Sequence, residues 1–168
     1  MYQRIAVPID GSPTSALGLQ EAVKIAKSQG ARLRLIHVLE DLPPADPYSG
    51  IIAGEPTLSR LREVGASILR SSAAGPREAG VVVECELIEQ TGCPAAKLIL
   101  QSVTAHGDEL IVCGTHGRTG LARLTLGSTA EDILRNSSVP VLLVPRGVVE
   151  RTMRGADFAA GAKSHAPG

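Results

Sequence analysis

A glycine-rich stretch over residues 114–129 carries the residue types that bind phosphate groups. Gly114 and Gly117 follow a short apolar run, and a residue without a Cβ lets a ligand approach the backbone closely. Gly127 precedes a helical pattern, and a helix N-terminus offers N–H groups and a positive dipole end to an anion. Arg118 adds positive charge within the same stretch. The stretch therefore predicts a phosphate-binding loop.

Ser128 and Glu131 stand three residues apart at the predicted helix start, which is the spacing of a capping box. In a purely structural interpretation the glycines only form turns and Ser128 only caps the helix. Glycines, a hydroxyl and a position after a strand occur together here, and that combination favours a ligand site.

Asp10 follows the first apolar run of the chain and is followed by Gly11 and Ser12. Ligands of open α/β sheets bind beyond the carboxyl ends of the strands, at the point where the strand order reverses. An aspartate in this position can also bond to its own backbone in a turn. Its place at a strand end favours contact with a ligand.

Strand-like apolar runs alternate with helical periodicity over most of the chain. Strands are predicted at residues 4–9, 32–39, 81–87, 109–113 and 139–144. Helices are predicted at residues 13–30, 57–79, 94–106 and 128–136. This alternation predicts an α/β fold with an open parallel five-stranded sheet and helices on both faces, and residues 81–87 have the half-exposed pattern of an edge strand.

Composition excludes several classes of function. Seventeen basic residues balance seventeen acidic ones, and only 2% of the residues are aromatic. Nucleic-acid binding is not expected, because a basic surface and stacking side chains are both missing from the sequence. Three cysteines without a C-x-x-C pair argue against a disulfide framework and a structural zinc site.

The sequence contains none of the common catalytic motifs of nucleotide-dependent or hydrolytic enzymes. It has no P-loop, no G-x-S-x-G elbow, no H-E-x-x-H and no G-x-G-x-x-G in its first turn. The glycine-rich stretch has no lysine, and no acidic pair is placed to hold Mg²⁺ and activate water. We therefore expect binding rather than efficient hydrolysis.

The chain of 168 residues is the size of one domain, which we place at residues 1–145. Residues 146–168 are rich in alanine, glycine and charge, and we expect them to form a mostly disordered tail. Neither a signal peptide nor an apolar run of membrane-spanning length is recognised, so a cytoplasmic protein without membrane association is expected.

Four blocks of sequence resemble the universal stress protein family. The pattern Gly114-x2-Gly117-x9-Gly127-Ser128 is similar to the nucleotide-binding signature of its ATP-binding branch. Residues 6–12, 30–38 and 139–144 resemble the opening strand and turn, the second strand and the closing strand of that family. The resemblance covers residues 2–145 in order, and it implies the strand order 3-2-1-4-5.

The resemblance also implies roles for individual residues. Asp10 would accept hydrogen bonds from ribose hydroxyls, and the main chain of Val38 would meet the adenine edge. The other residues implied are Pro8 and Ile9 near the base, Gly114 near the ribose, and Gly117, Gly127, Ser128 and Thr129 around the phosphates. His116 and Arg118 lie within the signature, where His116 has either a phosphate-side role or simple exposure. Cys113 stands where the family often has a larger apolar residue, and the smaller cysteine would loosen the adenine pocket slightly. His37 is taken as a core or rim histidine.

The family resemblance implies a nucleotide-sensing regulatory protein that binds ATP or another adenine nucleotide, with or without Mg²⁺. It also implies a homodimer paired through the last strand at Val141, Leu142, Leu143 and Val144. A slow ATPase or phosphate donor is the first alternative, and a partner-binding module without nucleotide is the second. No regulatory partner can be named from the sequence.

Overall fold

The computed structural model describes residues 1–39, 55–89, 92–115 and 126–145, with side chains from residue 58 onward in the second of these ranges. Its strands are β1 (Arg4–Pro8), β2 (Arg32–Val38), β3 (Val83–Ile88), β4 (Leu110–Gly114) and β5 (Val141–Val144). Its helices are α1 (Pro13–Gln29), α2 (Glu55–Glu78), α3 (Ala95–His106) and α4 (Ser128–Asn136). The predicted tail of residues 146–168 lies outside the described residues.

The five strands form one parallel sheet in the order β3-β2-β1-β4-β5. This order confirms the predicted topology. Because β2 and β4 lie on opposite sides of β1, the chain connections diverge at the carboxyl ends of β1 and β4, which creates the crevice expected for a ligand.

Aliphatic side chains pack on both faces of the sheet, which confirms helices on two sides. One cluster includes Val7, Leu35 and Val112 and lies against α1 and α2. The other includes Ile36, Ile99 and Ile133 and joins the sheet to α3 and α4. The edge strand β3 is half exposed, as its sequence predicts.

Helix α1 begins and ends where its sequence signals predict. The Ser12 Oγ accepts a hydrogen bond from the Ser15 N–H at 3.1 Å, and Pro13 occupies the first helical position. Gly30 ends the helix in the left-handed conformation, with φ at 68°.

The predicted capping box of Ser128 and Glu131 is wrong, because helix α4 has a different N-cap. The N-cap is Gly127, whose carbonyl accepts from the Glu131 N–H at 2.9 Å, and Ser128 is already the first helical residue. A residue inside the first turn cannot place its side chain as an N-cap does. The Glu131 carboxylate instead pairs with Arg135 one turn later, at 2.8 Å.

The last strand is shorter than predicted, because residues 137–140 form a turn. The Ser137 Oγ donates to the Val139 carbonyl at 2.7 Å and accepts from the Val139 N–H at 3.1 Å. The strand therefore begins at Val141, after Pro140.

A buried ion cluster holds α3, β2, β3 and the turn before β4 together. The Arg34 guanidinium pairs with both Asp108 and Glu86, and its Nη1 donates to the Ser102 Oγ at 2.7 Å. The Ser102 hydroxyl also bonds to the Glu86 carboxylate at 2.6 Å. The side chain of Asp108 is only 1% exposed and that of Arg34 is 6% exposed, so each depends on the other for compensation of its charge.

None of the helices in the described ranges has both the length and the apolar content needed to cross a bilayer.

Candidate functional site

A cleft of about 260 Å³ opens at the carboxyl ends of β1 and β4. It is lined by eight of the residues implied by the resemblance, namely Pro8, Ile9, Asp10, Val38, Gly114, Gly127, Ser128 and Thr129. The predicted residues His116, Gly117 and Arg118 lie outside the described part of the chain. The structure thus brings both glycine-flanked strand ends of the sequence to one place.

Pro8 explains why the sheet opens between β1 and β4. Peptide groups of a strand alternate between its two neighbours, and the Ile9 N–H donates to Ile36 on the β2 side at 2.8 Å. The peptide nitrogen of Pro8 therefore faces β4, where proline has no N–H to donate. The pairing of β1 with β4 ends at Ala6 and Ile111, and the crevice begins there.

Asp10 sits in the turn between β1 and α1 and also lines the cleft. Its Oδ1 accepts from the Ser12 N–H at 2.8 Å, so the turn role is present together with the position at the site. Burial raises the pKa of the Asp10 carboxyl, but hydrogen bonds from the Ser12 hydroxyl and amide and from the Ser15 hydroxyl outweigh burial and lower the pKa below its ordinary value. Asp10 is therefore a carboxylate acceptor at neutral pH.

Gly114 lacks a side chain for a reason that the sequence argument did not anticipate. A Cβ at this position would overlap the Thr14 carbonyl oxygen and lie 2.6 Å from its carbonyl carbon. Gly18 faces the same contact, where a Cβ would come within 3.0 Å of the Gly114 nitrogen. Close packing of α1 against β4 requires both glycines, and Gly114 borders the cleft as a consequence.

The N-terminus of α4 forms the polar end of the cleft. Ser128, Thr129 and Ala130 occupy its first turn, where backbone N–H groups have no partner within the helix. The Gly127 N–H donates to the Thr115 carbonyl at 2.8 Å, so this amide is already used by the protein. Gly127 thus begins the helix, and a helix N-terminus of this kind suits an anion.

The other end of the cleft is apolar. Ile36 and Val38 from β2, Cys113 from β4 and Ile133 from α4 form its walls. Burial raises the pKa of the Cys113 thiol to about 11, so it stays a neutral thiol and part of the apolar wall. A flat, mostly apolar ring suits this end, and an anion suits the other.

Several residues that line the cleft were missed by sequence reasoning. His37, predicted to be a core or rim histidine, is buried and also borders the cleft. The other missed residues are Ser15, Ile36, Ala95, Ile99, Ala130 and Ile133. Ser15 could have been found from its spacing, because it lies three residues after the N-cap Ser12. The apolar helix residues could not, because in sequence they look like ordinary core positions.

The charged groups of the cleft are few in the part of the chain that the structure describes. Asp10 is the one carboxylate among the lining residues. Over these same ranges no group of three His, Cys, Asp or Glu side chains could hold a metal ion. The lining therefore offers apolar surface for a ring, a carboxylate for hydroxyl groups and helix amides for an anion.

Comparisons with known proteins point to one family. The model of the universal stress protein family matches residues 1–145. Universal stress protein MJ0531 of Methanocaldococcus jannaschii is 34% identical, over 87% of this chain and 84% of its own length. Universal stress protein YxiE of Bacillus subtilis is 35% identical, over 86% of this chain and 99% of its own length.

Solved structures share the fold. The universal stress protein UspA from Lactobacillus plantarum superposes with a TM-score of 0.70 at 26% identity, covering 85% of this chain and 97% of its own. A universal stress protein in complex with cAMP gives 0.61 at 23% identity, covering 86% and 97% of the two chains. One from Archaeoglobus fulgidus in complex with dAMP gives 0.60 at 21% identity, covering 84% and 97%. With the family model matching residues 1–145 and relatives aligned over most of their length, this chain belongs to the universal stress protein family.

Proposed function

We propose that this protein binds an adenine nucleotide, with ATP as the leading candidate, and acts as a nucleotide-sensing regulatory module. One observation carries the proposal. A single cleft is lined by the apolar residues Ile36, Val38 and Cys113, by the N-terminus of α4 and by Asp10. Adenine would pack against the apolar residues, ribose hydroxyls would donate to the carboxylate, and phosphates would accept from the helix amides.

Relatives support the ligand class. Two proteins of this fold are in complex with cAMP and with dAMP, and both ligands combine adenine with a phosphate. The residues present here fit that chemistry at each point. Mg²⁺ would be held mainly by the phosphates, because Asp10 is the only carboxylate among the described residues of the cleft.

An enzyme that slowly hydrolyses ATP, or donates phosphate, is the alternative. The described part of the cleft offers no pair of carboxylates to hold a metal and orient water, which supports binding instead. Turnover above background at saturating ATP, lost in Asp10→Ala, would establish the enzyme alternative. A partner-binding module without nucleotide is the further alternative, and absence of measurable ATP, ADP and AMP binding would favour it. A cytoplasmic location stays a prediction.

Replacing Asp10 tests the ribose contact. Asp10→Ala should weaken ATP binding about tenfold or more, since a hydrogen bond to a charged group contributes ~1.5–3 kcal/mol. Titration calorimetry on the purified protein measures this, after acid denaturation has identified any nucleotide carried through purification. Asp10→Asn is the matched control, because its amide oxygen keeps the bond from the Ser12 N–H while the charge is removed. Wild-type affinity in both variants would restrict Asp10 to its turn role.

We further propose that two copies pair through β5, the edge of the sheet. The carbonyls of Pro140 and Val144 accept from Ile111 and Thr115 on the β4 side, at 3.0 Å and 3.2 Å. By alternation the peptide groups of Val141 and Leu143 point away from the sheet. Antiparallel pairing about a two-fold axis would satisfy these groups and cover the apolar edge.

Leu143→Pro tests the dimer, because it removes an outward N–H while leaving the bonds to β4 in place. The wild-type protein should show about twice the 17.4 kDa chain mass by light scattering after size exclusion at micromolar concentration. Leu143→Pro should run as a folded monomer, whereas Leu143→Ala keeps the N–H and should stay dimeric. A monomeric wild-type protein, or a dimeric Leu143→Pro, would contradict pairing through this strand.

A further inference from the structure

The peptide groups of β2 point alternately to its two neighbours. The Arg32 N–H donates to Gln3 at 2.9 Å on the β1 side, and the Leu33 N–H donates to Val82 at 2.9 Å on the β3 side. The Leu39 N–H donates to Ile88 at 3.0 Å, which continues the odd-numbered series. The N–H and C=O of Val38 therefore face the β1 side.

The ladder between β1 and β2 stops one bond before Val38. Its last rung is the Ile9 N–H donating to the Ile36 carbonyl at 2.8 Å. The next rung would join the Val38 N–H to the Ile9 carbonyl. Within the described residues 1–39, the Val38 N–H makes no backbone hydrogen bond to the Ile9 carbonyl. The Ile9 carbonyl instead meets the Nδ1 of His37 at 2.6 Å.

The chemistry of that contact determines its direction. A carbonyl oxygen can only accept, so Nδ1 of His37 carries the hydrogen and donates it. His37 is 4% exposed, and the Cδ2 of its ring packs against α2 at Gly65, where an added Cβ would come within 2.9 Å of the ring. The ring is thus held in place between α2 and the end of β1.

We propose that His37 is a positioning residue that draws the Ile9 carbonyl out of the ladder and so leaves the Val38 N–H and C=O for a ligand in the cleft. Val38 then presents one donor and one acceptor side by side. The Watson–Crick edge of adenine carries the complementary pair, the N1 acceptor and the 6-amino donor. The ligand part of this inference rests on the proposed nucleotide binding, whereas the opening of the ladder belongs to the protein alone.

Amide hydrogen exchange of the ligand-free protein tests the opening of the ladder. The Val38 amide should exchange at least tenfold faster than those of Ile36 and Leu39, which lie in complete rungs. In His37→Leu the Ile9 carbonyl should return to the ladder and slow exchange at Val38. In His37→Asn exchange should stay fast, because the side-chain amide nitrogen occupies the place of Nδ1. General destabilisation by either variant would accelerate exchange at Val38. Slower exchange in His37→Leu therefore cannot result from destabilisation.

ATP affinity tests the consequence. His37→Leu should weaken ATP binding about tenfold, as expected for one or two neutral hydrogen bonds lost, and His37→Asn should bind within about threefold of wild type. If His37→Leu does not fold, His37→Gln replaces it, since its amide lies at the Nε2 position and cannot reach Ile9. Equal affinity in wild type and His37→Leu, or equal loss in His37→Leu and His37→Asn, would overturn the inference.

The two measurements separate this inference from the proposed function. A protected Val38 amide in a wild-type protein that binds ATP would refute the role of His37 and leave nucleotide binding standing. A fast-exchanging Val38 amide that slows in His37→Leu, in a protein that binds no adenine nucleotide, would keep the role of His37 and refute the proposed ligand.

Discussion

Replacing Asp108 by alanine is expected to lower the free energy of unfolding by about 3–5 kcal/mol, the cost of leaving one member of a buried ion pair without its partner. Arg34 would keep only Glu86 and Ser102 as polar partners among the described residues, in a position that is 5% exposed. For a chain of this size the midpoint of thermal unfolding should fall by roughly 6–20 °C. Urea unfolding followed by circular dichroism measures the free energy directly.

Glu84→Ala is a matched control for Asp108→Ala. Glu84 on β3 pairs with Arg32 on β2 at 3.3 Å, but both side chains are more than half exposed. An exposed pair contributes at most about 1 kcal/mol, so this variant should unfold nearly as wild type does. Combining Arg34→Met with Asp108→Leu and Glu86→Gln should recover much of the loss, because the cluster then contains no charge without a partner. An Asp108→Ala protein within 1 kcal/mol of wild type would contradict this account.

Gly127→Val is expected to weaken ATP binding by about 10- to 100-fold, the effect of forcing extra side-chain volume into a well-packed contact. The backbone at Gly127 has φ of −63° and ψ of 144°, which any residue adopts, so the fold should survive. The added side chain would stand at the first turn of α4, where the phosphate donors lie. Calorimetry with ATP, together with a thermal melt of the same sample, separates lost binding from lost structure.

Gly75→Val provides the control for added volume at a glycine. Gly75 lies in α2, and a Cβ there would meet no atom within 4 Å, so ATP affinity should stay at the wild-type value. If Gly127→Val binds ATP with wild-type affinity, the phosphates lie elsewhere and the assignment of the α4 N-terminus is wrong.

The parallel sheet was predictable from local signals, whereas its strand order was implied by the family resemblance. Apolar runs alternating with helical periodicity require parallel strands, and a parallel sheet puts all its strand ends on one edge. Asp10 and Gly114 each follow such a run, so their proximity follows from the alternation and the strand order. Ser12, Pro13 and Gly30 act on the backbone within a few residues, and the helix they bound appears as predicted.

Signals that depend on the path of the chain were less secure. Ser128 and Glu131 have capping-box spacing, yet the helix begins at Ser128 with Gly127 as its N-cap, and Glu131 pairs with Arg135 instead. A one-residue shift of the helix start changes the function of every side chain in its first turn. The position of that start depends on the bond from Gly127 to Thr115 across the loop, which no local pattern encodes.

Local sequence determined where the strands and most of the helix ends lie, because turn residues and hydrophobic periodicity act over a few residues. Only the tertiary structure decided that Gly114 serves the packing of α1, that Arg34 belongs to a buried ion cluster, and that His37 replaces a rung of the sheet. Each of these depends on atoms from elements 28 to 100 residues apart in the chain, as in the contacts of His37 with Ile9 and of Gly114 with Thr14. Such contacts leave no periodic trace, because one residue suffices for each and its own neighbours in sequence are unaffected.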